Sequence, residues 1–418
     1  MIRAIRGMRD LLPPDTERWH RVELAAREIF RRYGYREMRL PLLERTELFA
    51  RGIGAETDIV AKEMYTFTDR HGDSVTLRPE ATAQVVRAFL ENGLARTAGV
   101  KRYFLIGPMF RYERPQKGRY RQFHQINCEA LGSDAPELDV EVILLLLDIL
   151  HEAGLQDLRL LLNSLGCPVC QVDFKAELKL FLFDREGWCP DCERRRAVNA
   201  LRVFDCKSSH CQGLLEGAPA LVDFLCSDCA RHYARVKELL ARFQVNFVEQ
   251  PRLVRGLDYY TRTAFEVTAS GLGAQDAVAG GGRYNGLIRE LGGPDLPGIG
   301  FAIGQERLME VLPPAASDER RELVFLAYLG EAAKDRALTL LGELRAQGLA
   351  ALMDFEDRSL KSQLSLADRL EAAAAVIVGE NELQEGVAQV KWLADSRQER
   401  LPLAELAGSL AARLKASA

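Results

Sequence analysis

No apolar run in this sequence approaches the ~18 residues that a membrane-spanning helix needs. The most apolar stretch, residues 140–150, is interrupted by Glu141 and Asp148 and reads as a buried helix. Nor is there a signal-peptide core. Asp10, Asp15 and Glu17 argue against a transit peptide at an N-terminus that otherwise alternates arginine with apolar residues. A cytoplasmic protein with no membrane partner is the expectation. The common phosphate cradles are missing too, since the chain has neither a Gly-x-x-x-x-Gly-Lys-Ser/Thr loop nor a Gly-x-Gly-x-x-Gly fingerprint. A nucleotide would therefore have to be held by side chains, arginines above all, because the guanidinium fork matches phosphate. Global basicity is absent, with a net charge of −4, so any nucleic-acid contact would depend on a local patch. No internal repeat is apparent.

What is present is an ordinary globular balance, 47% apolar and 28% charged, in a chain of 418 residues. That length accommodates two or three domains with their own cores. Residues 16–33 have the spacing of an amphipathic helix, with Trp19, Val22, Ala26, Ile29 and Phe30 on one face and Gly34 at the end. A strand over 35–40, a hairpin turning at 69–73 and a helix from about Glu80 to before Gly93 follow. Two antiparallel strands over 101–113 and 122–131 are joined by a basic loop holding Arg111, Arg114, Lys117, Arg119 and Arg121 against Glu113 alone. A helix over 136–153 precedes a cysteine-rich segment, 166–248. Regular β-pattern is expected again from about Pro251 to a helix beginning at Gly304, and 313–321 reads as a linker. Beyond it, apolar strands (323–329, 350–353, 373–378) alternate with helices (331–347, 359–370), as in a compact α/β domain.

Three segments concentrate chemistry. Arg255-Gly256-Leu257-Asp258-Tyr259-Tyr260 places a fixed cation beside two phenols. Residues 110–125, FRYERPQKGRYRQFHQ, form a strand, a basic loop and a second strand. Residues 298–308, GIGFAIGQERL, run a glycine-rich strand into a helix bearing Arg307. A single such arginine is ordinarily a surface ion pair; three of them inside coherent motifs suggest a site for an anionic substrate.

The Arg255–Tyr260 segment resembles the signature of the histidyl-tRNA synthetases, and residues 110–125 resemble motif 2 of the class II aminoacyl-tRNA synthetases. The resemblance covers essentially the whole chain. It implies an α+β fold: a class II catalytic core with an antiparallel sheet flanked by helices, a Cys-rich insertion and a C-terminal α/β anticodon-binding domain. The boundaries would be 1–165 and 249–314 for the core, 166–248 for the insertion and 322–418 for the anticodon domain. The helix 16–33 with residues 35–41 would be motif 1, used for homodimerisation, and residues 298–308 motif 3, where Gln305 replaces an expected apolar residue.

By the same resemblance, Arg111 and Arg255 would be catalytic. Arg111, Glu113, Phe123 and Arg307 would bind ATP, gripping the α-phosphate, reading adenine, stacking under the ring and clamping the γ-phosphate in turn. Histidine would be bound by Glu80, Thr82, Arg111, Gln125, Glu129, Arg255, Tyr259, Tyr260 and Tyr284, with Glu80 on the α-amino group and Gln125 beside it. Glu129 and the Tyr260 hydroxyl would serve the two imidazole nitrogens. Residues 77–82 depart from the family in having Ala81 where glycine is frequent. The implied activity is ATP-dependent attachment of L-histidine to tRNA(His) through a histidyl-adenylate, with Mg2+ on the phosphates and release of AMP and pyrophosphate. The alternative is a catalytically inactive synthetase-like regulatory subunit of histidine biosynthesis; such paralogues lack the C-terminal domain and break the motifs that are intact here. Residues 357–364 and 367–369 resemble the helix that the anticodon module uses near tRNA.

Eight of the nine cysteines form four pairs: Cys167 and Cys170, Cys189 and Cys192, Cys206 and Cys211, Cys226 and Cys229. Three pairs are Cys-x-x-Cys with turn formers between, as structural zinc sites prefer. Two four-cysteine zinc sites, with His210 as a substitute ligand, and a set of reduced thiols left from a lost site are both compatible with this spacing. Disulfides are not expected in a cytosolic enzyme.

Overall fold

The computed structural model describes residues 2–54, 57–270, 277–313 and 323–415. It divides into two compact units, 1–313 and 314–418; the expected linker, apart from Pro313, lies outside the described residues.

The first unit is built on an eight-stranded sheet. Its order is Arg36–Glu37, Lys101–Phe110, Gln122–Leu131, Gly298–Gly304, Ala277–Arg283, Thr261–Ala269, Leu158–Ser164 and Phe247–Glu249. Every pairing is antiparallel except the outermost one at each edge. Period-two alternation decides which side chains go where. In Gln122–Leu131, Ile126, Cys128 and Ala130 enter the main core, while Phe123, Gln125, Asn127 and Glu129 share the other face. The helices Asp15–Arg32, Pro136–Glu152 and Ser227–Arg242 bring Trp19, Ile29, Ile143, Leu146, Val236 and Leu240 to the same core. The helix Thr82–Glu91 and a three-stranded sheet (Leu43–Arg45, Ser74–Leu77, Tyr65–Thr68) complete the part of this unit that carries Glu80 and Thr82.

Two sequence expectations change. The strand over 35–40 shrinks to Arg36–Glu37, because only that dipeptide pairs with Tyr103 and Phe104 before Pro41. Regular β-structure resumes at Thr261, not near Pro251. Residues 251–260 stay irregular, and Arg255 is carried on that loop.

The cysteine-rich segment folds into short helices, Pro168–Phe183, Pro190–Val198 and Ser209–Leu214, with 3-10 turns at Ala200–Asp205 and Leu221–Phe224. It has its own small core of Phe174, Leu178, Leu182, Trp188 and Val203 with the cysteines.

In the second unit the sheet order is Ala350–Met353, Leu323–Tyr328, Ala374–Val378, Val387–Trp392, Gln398–Pro402. The first three strands are parallel, with the helices Glu331–Ala346 and Leu360–Arg369 between them as the alternation predicts. The last two are antiparallel and were not anticipated. Among the described residues no helix is long and apolar enough to cross a membrane.

Candidate active site

One sheet face opens into a cleft of about 270 Å³. The strands Gln122–Leu131, Gly298–Gly304, Ala277–Arg283 and Thr261–Ala269 form its floor. The loop 251–260, the start of helix Thr82–Glu91 and the basic loop 111–121 form its walls. Eleven sequence-predicted residues line it: Glu80, Thr82, Arg111, Glu113, Phe123, Gln125, Arg255, Tyr259, Tyr260, Tyr284 and Arg307. Glu129 does not line it and lies just behind the wall.

Glu80 is buried, and its two carboxylate oxygens accept the main-chain N–H groups of Thr82 (2.7 Å) and Ala83 (2.9 Å). It therefore satisfies the open N-terminus of helix Thr82–Glu91, which is why that helix starts two residues after the expected position. A carboxylate offers about four lone-pair positions, so acceptor capacity remains; the Tyr259 hydroxyl stands 3.4 Å away. Burial pushes the Glu80 carboxyl above its ordinary value.

Thr82 joins Glu80 to a second buried carboxylate. Its hydroxyl donates to Glu129 Oε1 at 2.6 Å, and the Tyr284 hydroxyl donates to Glu129 Oε2. Burial raises the Glu129 carboxyl to about 8, opposed by those two hydroxyls and aided by the nearby Glu80 charge. Glycine at position 300 makes this placement possible, because a Cβ there would overlap the Glu129 carboxylate.

Arg255 reaches into the cleft and donates through Nη1 to Glu266 Oε2 at 2.8 Å, with its guanidinium carbon 5.8 Å from the Tyr260 ring centre. Its guanidinium lies against Gly280. Arg111 donates through Nε to the Pro79 carbonyl at 2.8 Å and sits over the Phe123 ring at 5.2 Å. Glu113 is held by Arg119 at 3.0 Å. Arg307 donates to the Ala277 carbonyl at 3.0 Å. Gln125 Oε1 and Arg255 Nε are buried and have no hydrogen-bond partner among the described residues. Orphaned buried polar atoms facing a cleft are expected where a ligand supplies the missing bond. Gln305 turns away, fully buried, and donates to Glu23 at 3.1 Å on helix Asp15–Arg32.

Sequence reasoning missed Asn127, Glu266 and Glu306, all of which line the cleft. Asn127 was recoverable, since it lies two residues from both Gln125 and Glu129 on one strand. Glu266 had no such signal; it meets Arg255 only because the loop folds back over the strand.

All nine cysteines are free. Eight of them gather in two groups, Cys167, Cys170, Cys226 and Cys229, and Cys189, Cys192, Cys206 and Cys211. Within each group the sulfur atoms lie within 4.8 Å of one another. Resolved Sγ–Sγ separations are 3.6, 3.9 and 3.8 Å for Cys167–Cys170, Cys167–Cys226 and Cys189–Cys206. His210 is outside both groups and bonds the Gly187 carbonyl.

Residues 7–167 and 198–308 match the family model described as histidyl-tRNA synthetase, and residues 323–413 match the anticodon binding domain. The chain is 48% identical to the histidine–tRNA ligase of Desulfosudis oleivorans, covering 98% of each chain. It is 49% identical to that of Nitratidesulfovibrio vulgaris, covering 96% of each. Among solved structures, apo S. aureus histidyl-tRNA synthetase superposes with a TM-score of 0.82 at 34% identity, covering 98% of this chain and all of the other.

Proposed function

Because this chain belongs to the histidyl-tRNA synthetase family, we propose that the cleft activates histidine as an adenylate, with Arg255 and Arg111 as its catalytic cations. The chain is an aminoacyl-tRNA synthetase of class II that attaches L-histidine to tRNA using ATP. The regulatory-subunit alternative is not favoured, since the relatives at this identity are ligases over their full length.

The observation that carries the site assignment is the pair of buried carboxylates joined through Thr82. Histidine is an amino acid with two groups that can carry positive charge, its ammonium and its imidazole. On this reading Glu80 takes the ammonium and the Glu129–Tyr284 pair, with Tyr260, takes the imidazole. Gln125 fills its open acceptor with the amino group. A site built from buried polar groups rejects apolar isosteres because those groups are then left unpaired.

The substrate carboxylate is itself the nucleophile, so the protein needs no catalytic Ser, Cys or His. It must align the reactants and oppose the charge gathered on the phosphoryl oxygens. Arg111 and Arg255 do this at the α-phosphate and carboxylate. Phe123 and Glu113 hold the adenine, and Arg307 the γ-phosphate. Glu266 and Glu306 supply carboxylate oxygens in the cleft, the hard donors that suit Mg2+ arriving with ATP; the ion's contribution is to neutralise charge on the phosphates.

The reading assigns 1–165 and 249–314 to the catalytic core, 322–418 to anticodon binding and 166–248 to the insertion, whose last helix and strand nonetheless pack on the core sheet. It makes the enzyme a cytoplasmic homodimer through its first helix and adjoining strand, with tRNA(His) as partner. The cysteine groups are structural zinc sites: tetrahedral Zn–S bonds of about 2.3 Å place sulfurs about 3.8 Å apart, close to the separations resolved here. Metal analysis of protein purified without chelator tests this, and a zinc-free folded protein refutes it.

ATP–pyrophosphate exchange with each amino acid supplied singly, with Mg2+ and no tRNA, tests the site. Exchange is expected with histidine alone, falling at least ~10²-fold in Arg255→Ala, the scale of losing one preorganised charge donor. Near-normal exchange by that variant sinks the assignment of Arg255.

A further inference from the structure

The cysteine pairs do not join in sequence order. The first joins the fourth and the second joins the third. The inner group of Cys189, Cys192, Cys206 and Cys211 therefore grips both ends of the segment made by helix Pro190–Val198 and the 3-10 turn Ala200–Asp205. No residue of that segment lines the cleft, yet it touches two loops that do.

The first is the loop carrying Arg255. Arg202 Nη1 donates to the main-chain carbonyl of Arg255 itself at 3.1 Å, and Asn199 Nδ2 donates to Asp258 Oδ1 at 3.1 Å. The second begins at Asp58, whose carboxylate is met by Arg195 at 3.0 Å and Arg202 at 3.9 Å. Asp58 opens the π-helix Ile59–Glu63. Ile59 lines the cleft, and the Glu63 carbonyl accepts the Tyr112 N–H at 2.7 Å, where the basic loop starts. The segment thus stands against the signature loop on one side and the entry to the basic loop on the other.

A short 3-10 element has little stability of its own, and partly exposed ion pairs add little. Ala200 and Val203 pack the segment into the insertion's own core, and both of its ends are cysteines of one group. We infer that residues 190–205 form a metal-anchored positioning arm: a zinc ion on Cys189, Cys192, Cys206 and Cys211 fixes the arm, and Arg202 and Asn199 hold the Arg255 loop in register for adenylation. Arg202 and Asn199 are positioning residues, acting through the backbone of Arg255 and the side chain of Asp258. The inference rests on the zinc and adenylation readings above and adds that the inner site, by way of Arg202, sets the rate of the reaction.

The test uses the full-length holoenzyme, histidine-dependent pyrophosphate exchange and zinc analysis. Arg202→Ala is expected to lower kcat by ~10- to 10²-fold, the effect of a small misplacement of a catalytic group. The KM values for histidine and ATP stay within about twofold, as for a loss felt in the transition state. Arg202→Lys recovers part of the rate, because an ammonium still donates to the Arg255 carbonyl. Cys206→Ser lowers zinc from two ions per chain to one with a similar fall in kcat. The double variant loses no more than either single one, as coupled sites do.

Zinc lost from the inner site with exchange unchanged overturns this inference and leaves the zinc reading standing. Wild-type protein without metal overturns both. Normal exchange in Arg202→Ala overturns the inference whatever the metal content, and it decides alone should Cys206→Ser not fold. Histidine exchange absent from the wild-type holoenzyme instead strikes at the adenylation reading.

Discussion

Gly280→Ala offers a sharp test of how Arg255 is placed. The nearest atoms to a Cβ built at position 280 all belong to Arg255: it would lie 2.5 Å from Nη2 and 2.6 Å from Cζ, whereas ordinary contact begins at 3.4 Å. The guanidinium must therefore retreat by about 1 Å, enough to break its 2.8 Å bond to Glu266. A misplacement of ~1 Å in an aligned site costs ~10²-fold in rate. The backbone itself loses nothing, because Gly280 is a paired strand residue opposite Glu266 and Ala302, and alanine in a strand is favoured over glycine by roughly 0.5–1 kcal/mol. The variant should thus melt no lower than the parent while histidine-dependent exchange falls ~10²-fold, a separation that general destabilisation does not produce. Combining it with Arg255→Ala should add almost nothing, since both act on one group. Exchange within about threefold of the parent, in a variant that melts normally, refutes the claim that the guanidinium's position against Gly280 is the productive one.

Glu129 ties stability to pH. Its folded value of about 8 lies above the ordinary 4.5, so the folded chain keeps a proton that the unfolded chain releases; the stability from this group is full below about 4.5 and lost as pH rises through about 8. Glu129→Gln, which does not titrate, should gain melting temperature relative to the parent between about pH 5 and 8.5; a constant difference contradicts this. Arg283 is fully buried, paired with Asp139 at 2.5 Å and bonded to the Ser133 and Ala135 carbonyls at 2.9 Å. Arg283→Met leaves Asp139 buried without its cation and should cost about 3–5 kcal/mol in denaturant unfolding, and a loss below about 1 kcal/mol would show that the pair is relaxed by water. Arg307→Ala should raise the KM for ATP at least ~10-fold with that for histidine little changed, as removal of a ground-state phosphate contact does; equal shifts in both would move Arg307 off the nucleotide.

Much of the site was legible because strands advertise their faces. Gln125, Asn127 and Glu129 alternate with Ile126, Cys128 and Ala130 in a ten-residue strand, and Gly298, Gly300 and Gly304 alternate with Ile299, Phe301 and Ile303 in the strand beside it. Motif resemblance and period two converge there. The sequence was silent where position depends on another segment. Glu266 meets Arg255 through a loop without regular structure. The strand Phe247–Glu249 has only three residues and exists by pairing with Leu160–Leu162. The joining of four cysteine pairs into two groups is a tertiary fact that spacing alone leaves open. In the second unit, Val387–Trp392 alternates in burial, but it follows three parallel strands, and an antiparallel finish is not implied by a β-α-β rhythm.

The arrangement of charge argues for one orientation of the substrate. Glu80 and Glu129 are linked through Thr82 and surrounded by Tyr259 and Tyr284, a region with two carboxylates and hydroxyl donors. Arg111, Arg255 and Arg307 come from three other places: the end of a strand, the signature loop and the start of a helix. On the proposed reading, an amino acid whose ammonium meets Glu80 turns its carboxylate toward the arginines, where the phosphates of ATP would also be drawn. Burial sharpens this choice, since an unpaired charge costs far more in a low-dielectric site than in water. The reversed pose would set a carboxylate against Glu80. On that reading orientation would be fixed before any bond is made, which is the condition that in-line attack on the α-phosphate requires.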